Sequence, residues 1–561
     1  MQVEMNRKVS GLSVLAVVAC ALPVLWAYSS PPAATTLNQL LALGLWGGVL
    51  AMAVPWATNK RCWALWVALV LAAASAVHGH DWSALSFLLV VLALSEWTGA
   101  VRQKSRSEEL EVGLSTGLLV GAVASLIVGL VQVFSPAWAD GVWMAKSGLV
   151  GRAVGNVRQP NHLATLLLWG GVATIWLGQK YRWPIWGRAL LLGSFSAGVV
   201  LTASRTGLYF GIPLLALWGL LDRKLDRGSR FPLLVSPLFA ALAWWGLHLW
   251  AQSGAGVFGA ETRLDSEGAG SPSRVAILKN AWELLQMHPW TGVGWGEFNR
   301  AWTLTPFPDR PTAFFDHCHN LPLQLLVELG WPLGLTVLGL LTWAFLRAVQ
   351  LAWRAKGPEA VHRRAPLMIL LIVGVHSMLE YPLWYAYFLF PTAFAWGLCL
   401  APEAGETRPV AAPHWSQHWP RWVGALMVVG SLYAYWEYRF VAAIYAPAEW
   451  DQPLVQRIER GQRTLLFSRH ADYAAATALG HNAKSLEAAS RTGHQLIDAR
   501  LMIAWAKSLH AVGETDKARY MVARLREFRS REGTAWLSAC GNEPEQWFCA
   551  PPEKQYSWKD F

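Results

Sequence analysis

Long apolar runs constrain the fold of this chain more than any other feature of its sequence. A helix of about 20 apolar residues crosses the hydrocarbon core of a bilayer. About thirteen such runs can be identified. We therefore predict an all-α integral membrane protein, a polytopic bundle of about 12 or 13 transmembrane helices. The runs are 10–28, 38–57, 62–78, 84–101, 112–134, 161–178, 187–203, 206–222, 231–251, 321–347, 366–382, 384–401 and 422–440.

The composition agrees with a membrane protein. Hydrophobic residues make up 54% of the 561 residues and charged residues only 15%, whereas soluble domains carry about 25% charged residues. The 35 tryptophans suit the headgroup level of a bilayer, where indole rings are enriched. The net charge of +11 does not indicate a nucleic-acid partner, because Lys and Arg form short clusters between apolar runs rather than one basic patch.

These basic clusters predict the orientation in the membrane. They occupy every second connection between the predicted spans, as the positive-inside rule requires of cytoplasmic loops. We therefore expect a cytoplasmic N-terminus, a first span that stays as an anchor, and an active surface on the periplasmic face of a bacterial inner membrane. The clusters are Arg7 and Lys8; Lys60 and Arg61; Arg102, Lys104 and Arg106; Lys180, Arg182 and Arg188; Arg223, Lys224, Arg227 and Arg230; and Arg347, Arg354, Lys356, Arg363 and Arg364.

This topology divides the chain into three parts. Residues 1–110 supply N-terminal transmembrane helices, and residues 111–440 form a transmembrane core that includes a long periplasmic loop at 252–320. Residues 441–561 form a periplasmic helical tail. One detail stays open, since segment 366–401 can be two spans or one re-entrant segment broken at its central proline.

The tail carries a helical pattern of its own. His494–Ala511 and Thr515–Phe528 have the periodicity of two amphipathic helices joined at Gly513. This pair resembles one tetratricopeptide-type hairpin, and a small helical cap fits the same pattern. Cys540 and Cys549 stand nine residues apart in the polar end of the tail. That spacing suits a disulfide in an oxidising compartment.

The first stretch with candidate functional residues is 151–162, at the outer end of a predicted span. Arg152 and Arg158 are candidate anion ligands, and Gln159 and Asn161 can hydrogen-bond a sugar or an amide. The structural alternative is a loop in which Pro160 opens a helix and its polar neighbours only cap that helix.

Two further stretches on the same face carry arginines. Arg205 lies in a break between two short apolar runs, where its planar guanidinium suits a diphosphate; the alternative is an interfacial Arg that reaches towards water. Arg274 precedes an amphipathic stretch and is a second candidate anion ligand. The glycines at 292–296 predict tight turns, because no strand and helix flank them as a nucleotide loop requires.

The fourth stretch, Asp316–Gln324, lies at the outer mouth of a predicted span. His317 and His319 flank a cysteine, but this spacing holds a metal only on an extended loop, so we predict no metal site. Asn320 reads as a helix cap. A neutral imidazole at the boundary of water and membrane suits a general base for an alcohol acceptor.

With a fifth stretch at Glu380, these motifs resemble the O-antigen ligase and pilin O-oligosaccharyltransferase superfamily. The resemblance covers roughly residues 110–400. The first and last motifs and the helical tail resemble the protein-glycosylating branch more than the lipopolysaccharide ligases. The motifs are Arg-Gln-Pro-Asn at 158–161, Ser-Arg-Thr-Gly at 204–207, Gly-Val-Gly-Trp-Gly at 292–296, His-Cys-His-Asn at 317–320 and Glu-Tyr-Pro-Leu at 380–383.

The resemblance implies a GT-C-like glycosyltransferase that works without metal or other cofactor. Such an enzyme transfers a preassembled oligosaccharide from undecaprenyl diphosphate to a Ser or Thr hydroxyl of a periplasmic protein such as a type IV pilin, with inversion. Ligation to lipid A-core and polymerisation of lipid-linked repeats are open alternatives with the same chemistry. A transporter would need charged groups at the bilayer midplane, for which His376 and Glu380 are the candidates.

The resemblance also implies roles for individual residues. His319 is the expected catalytic base or acceptor-positioning group, while Arg205 and Arg274 are expected to hold the diphosphate, with Arg158 as a further donor ligand. Cys318 departs from the family pattern of a small residue, and we expect no loss of activity because its volume differs little. The residues expected to bind substrate or support the site are Gln159, Asn161, His317, Asn320, Glu380 and Tyr381.

Overall fold

The protein is helical wherever its structure is described. A computed structural model describes residues 10–52, 62–78, 82–101, 107–267, 272–356, 359–401, 418–448, 451–494 and 497–561, and these ranges contain no strand. The predicted basic clusters at 7–8, 60–61 and 102–106 lie outside the described residues. The helices up to the middle of the chain are α1 (Gly11–Leu25), α2 (Thr36–Ala51), α3 (Trp63–His78), α4 (Trp82–Val101), α5 (Ser107–Phe134), α6 (Pro160–Lys180), α7 (Ile185–Thr202), α8 (Ile212–Leu221), α9 (Arg227–Leu234), α10 (Ser236–Gln252) and α11 (Gly259–Glu267).

The second half of the chain continues the same architecture. A π-helical turn at Gly207–Gly211 leads directly into α8, and a 3₁₀ turn at Pro382–Trp384 separates two later helices. The later helices are α12 (Pro272–Met287), α13 (Phe298–Leu304), α14 (Leu321–Arg354), α15 (Glu359–Ser377), α16 (Ala386–Leu400), α17 (Trp419–Tyr445), α18 (Leu454–Gln462), α19 (Ser468–Ala478), α20 (Ala483–Thr492), α21 (Ala499–Ala511), α22 (Thr515–Phe528) and α23 (Arg531–Leu537).

Several of these helices can cross a membrane by length and composition. Within the described ranges, three are long and apolar enough: the stretch Glu108–Phe134 of α5, and α7 and α14 in full. The pair α9 and α10 is a fourth when its 42° bend is treated as a break within one span. The all-helical, apolar character is thus confirmed, while the count of about 12 or 13 spans stays a prediction.

The segment 366–401 consists of two helices rather than one. α15 ends at Ser377 and α16 begins at Ala386, so residues 378–385 form a connection between them. Pro382 opens the short 3₁₀ turn in this connection, and it terminates regular helix because it cannot donate a backbone hydrogen bond. The connection is important for the site because it carries Glu380 and Tyr381.

α14 is kinked near its start, and the kink holds the glycine-rich segment 292–296. Gly330 has a φ of 73° inside the helix, where a side chain would be strained. The carbonyl of Val327 accepts a hydrogen bond from the backbone N–H of Val293 at 2.9 Å. A Cβ on Gly330 would lie 2.5 Å from the carbonyl oxygen of Trp290, so only glycine permits this approach. The predicted tight turns are therefore packed against the kink.

The tail and the segment before α14 share one hydrophobic core. Buried residues of α12 and α13 pack with buried residues of α18 to α22, and Trp302 and Trp505 are both fully buried there. α21 begins at Ala499, later than predicted, because the Asp498 side chain accepts a hydrogen bond from Leu501 N at 2.8 Å and caps it. Gly513 joins α21 to α22 with a φ of 92°. A disulfide links Cys540 to Cys549.

Candidate functional site

Gln159 and Asn161, at the N-terminus of α6, have different hydrogen-bond partners and different roles. The Gln159 side chain accepts a hydrogen bond from the backbone N–H of His162 at 2.7 Å, so Gln159 caps the helix. Asn161 is buried and does not cap it. Its amide donates to Glu380 Oε1 at 2.9 Å, and its carbonyl oxygen accepts from the Ser204 hydroxyl at 2.6 Å. The capping alternative therefore holds for Gln159 and not for Asn161.

The turn after α7 brings the second predicted stretch to the same place. Ala203 takes the left-handed conformation with a φ of 52° and ends the helix. The chain then presents Ser204, whose oxygen also accepts a hydrogen bond from Gly207 N at 3.1 Å. Arg205 follows Ser204 directly, so Arg205 starts from a turn that is hydrogen-bonded to Asn161.

Side chains from three of the predicted stretches lie around Glu380. Its side chain is 5% exposed, and Oε1 accepts hydrogen bonds from Asn161 and from the guanidinium of Arg274. The other oxygen, Oε2, lies 3.6 Å from Nε2 of His319. A buried carboxylate is stable only with such partners, because burial removes its hydration. The structure thus gathers three predicted residues, Asn161, Arg274 and His319, around the buried carboxylate of a fourth, Glu380.

Aromatic rings enclose the two histidines. The rings of His317 and His319 stack with centroids 5.0 Å apart, and Trp384 lies 5.6 Å from His317 on a nearly parallel plane. Tyr381 packs edge-on against both imidazoles, at 5.0 Å from His319. Phe315 completes the set of rings around the two histidines, with its centroid 5.0 Å from that of His319. This packing fixes the ring orientation of His319 while leaving its Nε2 directed towards Glu380.

The state of His319 suits a proton acceptor. Its Nδ1 lies 3.3 Å from the carbonyl oxygen of His317 and can donate to it, which leaves Nε2 with the acceptor lone pair. Burial, the adjacent His317 and the charge of Arg274 together lower the pKa of His319 to about 3. The imidazole is therefore neutral at neutral pH. It is also a weak base, mainly because it is buried, with His317 and Arg274 adding to the lowering of its pKa.

Asn320 and Tyr381 join the histidine loop to the loop that carries Glu380. The side-chain oxygen of Asn320 accepts from Leu323 N at 2.9 Å and caps α14, as predicted from the sequence. Its amide donates to the carbonyl of Met378 at 2.9 Å. Burial raises the pKa of Tyr381 above its usual range, with Tyr385 adding to the shift, so the phenol keeps its proton.

Arginines surround the turn after α7. The guanidinium of Arg152 donates to the carbonyl of Thr202 at 3.1 Å, and that of Arg263 donates to the carbonyl of Ala203 at 3.0 Å. Together with Arg205 in the turn itself, they make this a basic environment that suits an anionic group. Within the described ranges, no three His, Cys, Asp or Glu side chains are grouped as a metal ion requires.

Arg158 contacts a different part of the molecule. Its guanidinium donates to the carbonyl of Ala27, in the connection between α1 and α2. Its backbone is left-handed, with a φ of 58°. The sequence alone does not distinguish this contact from a position of Arg158 beside Arg205, because tertiary packing decides which partner the side chain meets.

Sequence reasoning missed two residues of the site. Ser204 belongs to the Ser-Arg-Thr-Gly motif at 204–207, in which a role was predicted only for Arg205. The signal for Ser204 was its hydroxyl, which can hydrogen-bond a polar neighbour. Arg263 carries no motif, and α11 reaches the site only because the backbone of Gly259 donates to Gly151 O at 3.1 Å. A Cβ on Gly151 would lie 2.3 Å from the carbonyl oxygen of Val257, so this close approach depends on glycine.

Comparison with family models supports the resemblance inferred from the motifs. Residues 189–338 match an O-antigen ligase model, and residues 153–177 match a protein glycosylation ligase model. Residues 365–536 match the C-terminal model of a virulence factor membrane-bound polymerase. The three regions contain all the residues gathered around Glu380. The expected family resemblance is thus confirmed.

Two curated relatives from Acinetobacter baylyi give the same indication. A general O-oligosaccharyltransferase is 27% identical over 280 residues, covering 46% of this chain and 45% of the relative. A ComP-specific O-oligosaccharyltransferase is 25% identical over 264 residues, again covering 46% of this chain and 45% of the relative. The alignments thus span about half the length of the curated relatives that the chain matches.

Proposed function

We propose that this protein transfers a preassembled oligosaccharide from undecaprenyl diphosphate to Ser or Thr hydroxyls of a periplasmic acceptor protein, such as a type IV pilin. The reaction is metal-independent and inverting, and the site faces the periplasm from the inner membrane. The observation that carries the proposal is the cluster in which Glu380 contacts Asn161 and Arg274 beside His319. The protein glycosylation ligase match and the two relatives support the acceptor class.

The geometry supports a direct displacement at the anomeric carbon. The hydroxyl of the acceptor gives its proton to Nε2 of His319 as its oxygen forms a bond to that carbon. The bond from the same carbon to the diphosphate oxygen breaks, and its electron pair leaves with the diphosphate. Arg205 and Arg274 stabilise that charge through charge-assisted hydrogen bonds. Attack opposite the leaving group inverts the configuration, since no covalent enzyme intermediate intervenes.

An apolar cavity beside the site suits the lipid part of the donor. It has a volume of about 800 Å³ and lies between α3, α4, α14, α15 and α16. Met378 and Trp384 line this cavity, and the Trp384 ring also stacks on His317. A polyprenyl chain in this cavity keeps its diphosphate at the connection that carries Glu380, since the two ends of the ligand differ in polarity as the two regions do.

A second function is favoured by the other family matches. Ligation of glycan to lipid A-core, or polymerisation of lipid-linked repeats, uses the same donor and the same displacement. The O-antigen ligase match at 189–338 and the polymerase match at 365–536 support this alternative. The identity of the acceptor decides between the two functions.

A transfer assay with two candidate acceptors tests the proposal. Cells that make a lipid-linked glycan co-express a pilin with this protein or with its His319→Ala variant, and mass spectrometry reads the pilin. A glycan-sized mass gain that disappears in the variant supports the protein-acceptor function and the role of His319. Glycan found on lipopolysaccharide instead, with none on the pilin, moves the protein to the ligase alternative.

A further inference from the structure

Glu380 contacts Arg274, the proposed ligand of the diphosphate, and lies beside His319, the proposed proton acceptor. We propose that Glu380 is a positioning residue that exchanges partners during the reaction. Before the donor binds, it neutralises Arg274; after the diphosphate has engaged Arg274, it pairs with the protonated His319. This inference rests on the proposed function and adds to it a coupling between donor binding and activation of the base.

The two partners approach different oxygens of the carboxylate. Arg274 donates to Oε1, whereas Nε2 of His319 faces Oε2 at 3.6 Å. A separation of 3.6 Å is too long for a hydrogen bond, so in this state the pair with Arg274 is formed and the pair with His319 is not. A shift of a few tenths of an ångström brings the imidazole into hydrogen-bonding distance. The exchange therefore needs little movement.

Glu380 can stay in place while Arg274 changes its partner. Asn161 donates to Oε1 at 2.9 Å and is itself held by the Ser204 hydroxyl at 2.6 Å. Arg274 is 22% exposed, so part of its side chain reaches solvent. A buried carboxylate needs a cationic partner. When the diphosphate competes for Arg274, the group that can supply a positive charge is His319.

This exchange makes the base stronger only when the donor is present. Burial, His317 and Arg274 hold the pKa of His319 at about 3 in the donor-free state. A diphosphate cancels the effect of Arg274, and a carboxylate freed from Arg274 favours the imidazolium; both changes raise the pKa. A weak base in the absence of donor also leaves acceptor hydroxyls and water unactivated. The charged and titratable groups around His319 are His317 and Asp316 on its own loop, Arg274 on α12, and Glu380 and Tyr381 on the connection between α15 and α16.

The test compares donor binding with catalysis in Glu380→Gln. Glutamine keeps the shape and the bond to Asn161 but removes the charge. Titration of purified protein with undecaprenyl diphosphate should show an affinity equal to or tighter than that of the unsubstituted protein, because the Glu380 carboxylate no longer competes with the diphosphate for Arg274. The kcat for transfer to the acceptor should fall about 100-fold, which is the scale of a general-base contribution. Glu283→Gln, on the same helix as Arg274, is the matched control and should change neither value.

The pH profiles provide a readout that a purely structural role would not change. The kcat/KM profile reports the free enzyme and the kcat profile reports the donor complex. In the unsubstituted protein, the acid limb of kcat should therefore lie at higher pH than that of kcat/KM. In Glu380→Gln the two limbs should approach each other, since no carboxylate remains to pair with the imidazolium. Glu380→Asp keeps the charge and should restore part of the separation.

The possible outcomes separate this inference from the proposed function. If the unsubstituted protein transfers glycan and Glu380→Gln keeps both its kcat and the separation of the limbs, the exchange is overturned while the function stands. A tenfold loss of diphosphate affinity in Glu380→Gln with an unchanged kcat also overturns it, because Glu380 would then only organise Arg274. If the unsubstituted protein transfers glycan to neither acceptor, the proposed function fails first.

Discussion

Replacing Arg310 with alanine should loosen the loop that carries the two histidines. Arg310 lies in the segment between α13 and that loop, and its side chain is fully buried. It donates to Glu527 of the tail at 3.1 Å and to the carbonyl of Trp302 at 2.6 Å, and its guanidinium lies 4.5 Å from the ring centre of Phe528. Burial lowers the pKa of Arg310 to about 10, which still leaves it charged at neutral pH.

The size of the effect follows from these contacts. Removing one partner of a buried ion pair costs about 3–5 kcal/mol when the other charge is left buried without a partner. Glu527 is 18% exposed and keeps an ion pair with Arg524 at 3.0 Å, so the lower end, about 3 kcal/mol, applies. Since 1.4 kcal/mol is a factor of about ten, local opening of 305–320 should increase roughly 100-fold.

Hydrogen exchange of peptides from 305–320, read by mass spectrometry on the full chain, measures this opening. The control is Lys279→Ala, which breaks a pair with Asp309 at 3.1 Å, directly beside Arg310 in sequence. Both members of that pair are exposed, so its loss should change the free energy of local opening by less than about 1 kcal/mol. Unchanged exchange in Arg310→Ala would refute the conclusion that the tail holds the histidine loop.

Four further predictions concern the site. His319→Ala should abolish transfer and His317→Ala should reduce it less, because of these two histidines only His319 faces Glu380. Equal losses of transfer in both variants, measured from the intact mass of the acceptor, would contradict this division of roles. Arg205→Lys should lower kcat by about tenfold or more, since an ammonium cannot form the bidentate fork, and a normal rate would argue against diphosphate contact. Because the pKa of His319 is lowered to about 3, kcat/KM should show no acid limb from it across roughly pH 5 to 8; a limb near 6.5 would contradict its burial. Chelators should leave transfer unchanged, and inhibition reversed by added zinc would favour a metal site.

The shared core changes how a tail deletion should be interpreted. A long periplasmic tail suits a docking domain for a protein acceptor, and on that basis deleting 450–561 should reduce acceptor modification. In the structure, Phe528 stacks on Phe314 with centroids 3.9 Å apart, and the Tyr520 hydroxyl donates to Leu304 O at 2.9 Å. Deletion would therefore also disturb the segment before the histidines. Surface substitutions on α21 and α22, tested against pilin modification, separate docking from folding.

The sequence predicts local features of this fold better than its long-range contacts. The predicted span 384–401 corresponds to α16 at Ala386–Leu400, and the predicted run 206–222 corresponds to the π-helical turn with α8, because a continuous apolar run is an intrinsic property of the segment. The contact between Arg310 and Glu527 joins residues 217 apart. No periodicity contains that information, since either residue alone resembles an exposed charge.

The same limit applies within the site. Gln159 and Asn161 both precede or open α6 and both have side chains that cap helices, so the sequence alone cannot assign the cap. The structure gives the cap to Gln159, which precedes the first residue of α6, whereas Asn161 lies inside the first turn and its amide donates to Glu380, 219 residues away. The motif thus places both residues at the start of one helix, but the partner of each polar side chain depends on helices that the motif does not describe.

Backbone conformation shows why the site requires the whole fold. Arg158, Ala203 and His319 are non-glycine residues in the left-handed region, with φ of 58°, 52° and 59°. Each such residue costs about 1–3 kcal/mol and persists only where surrounding contacts determine it. At Ala203 the carbonyl accepts from Arg263, and after His319 the Asn320 cap begins α14. These turns bring Ser204 to Asn161 and His319 to Glu380. The strain therefore comes from the packing of several segments against one another, and no single segment would adopt it alone.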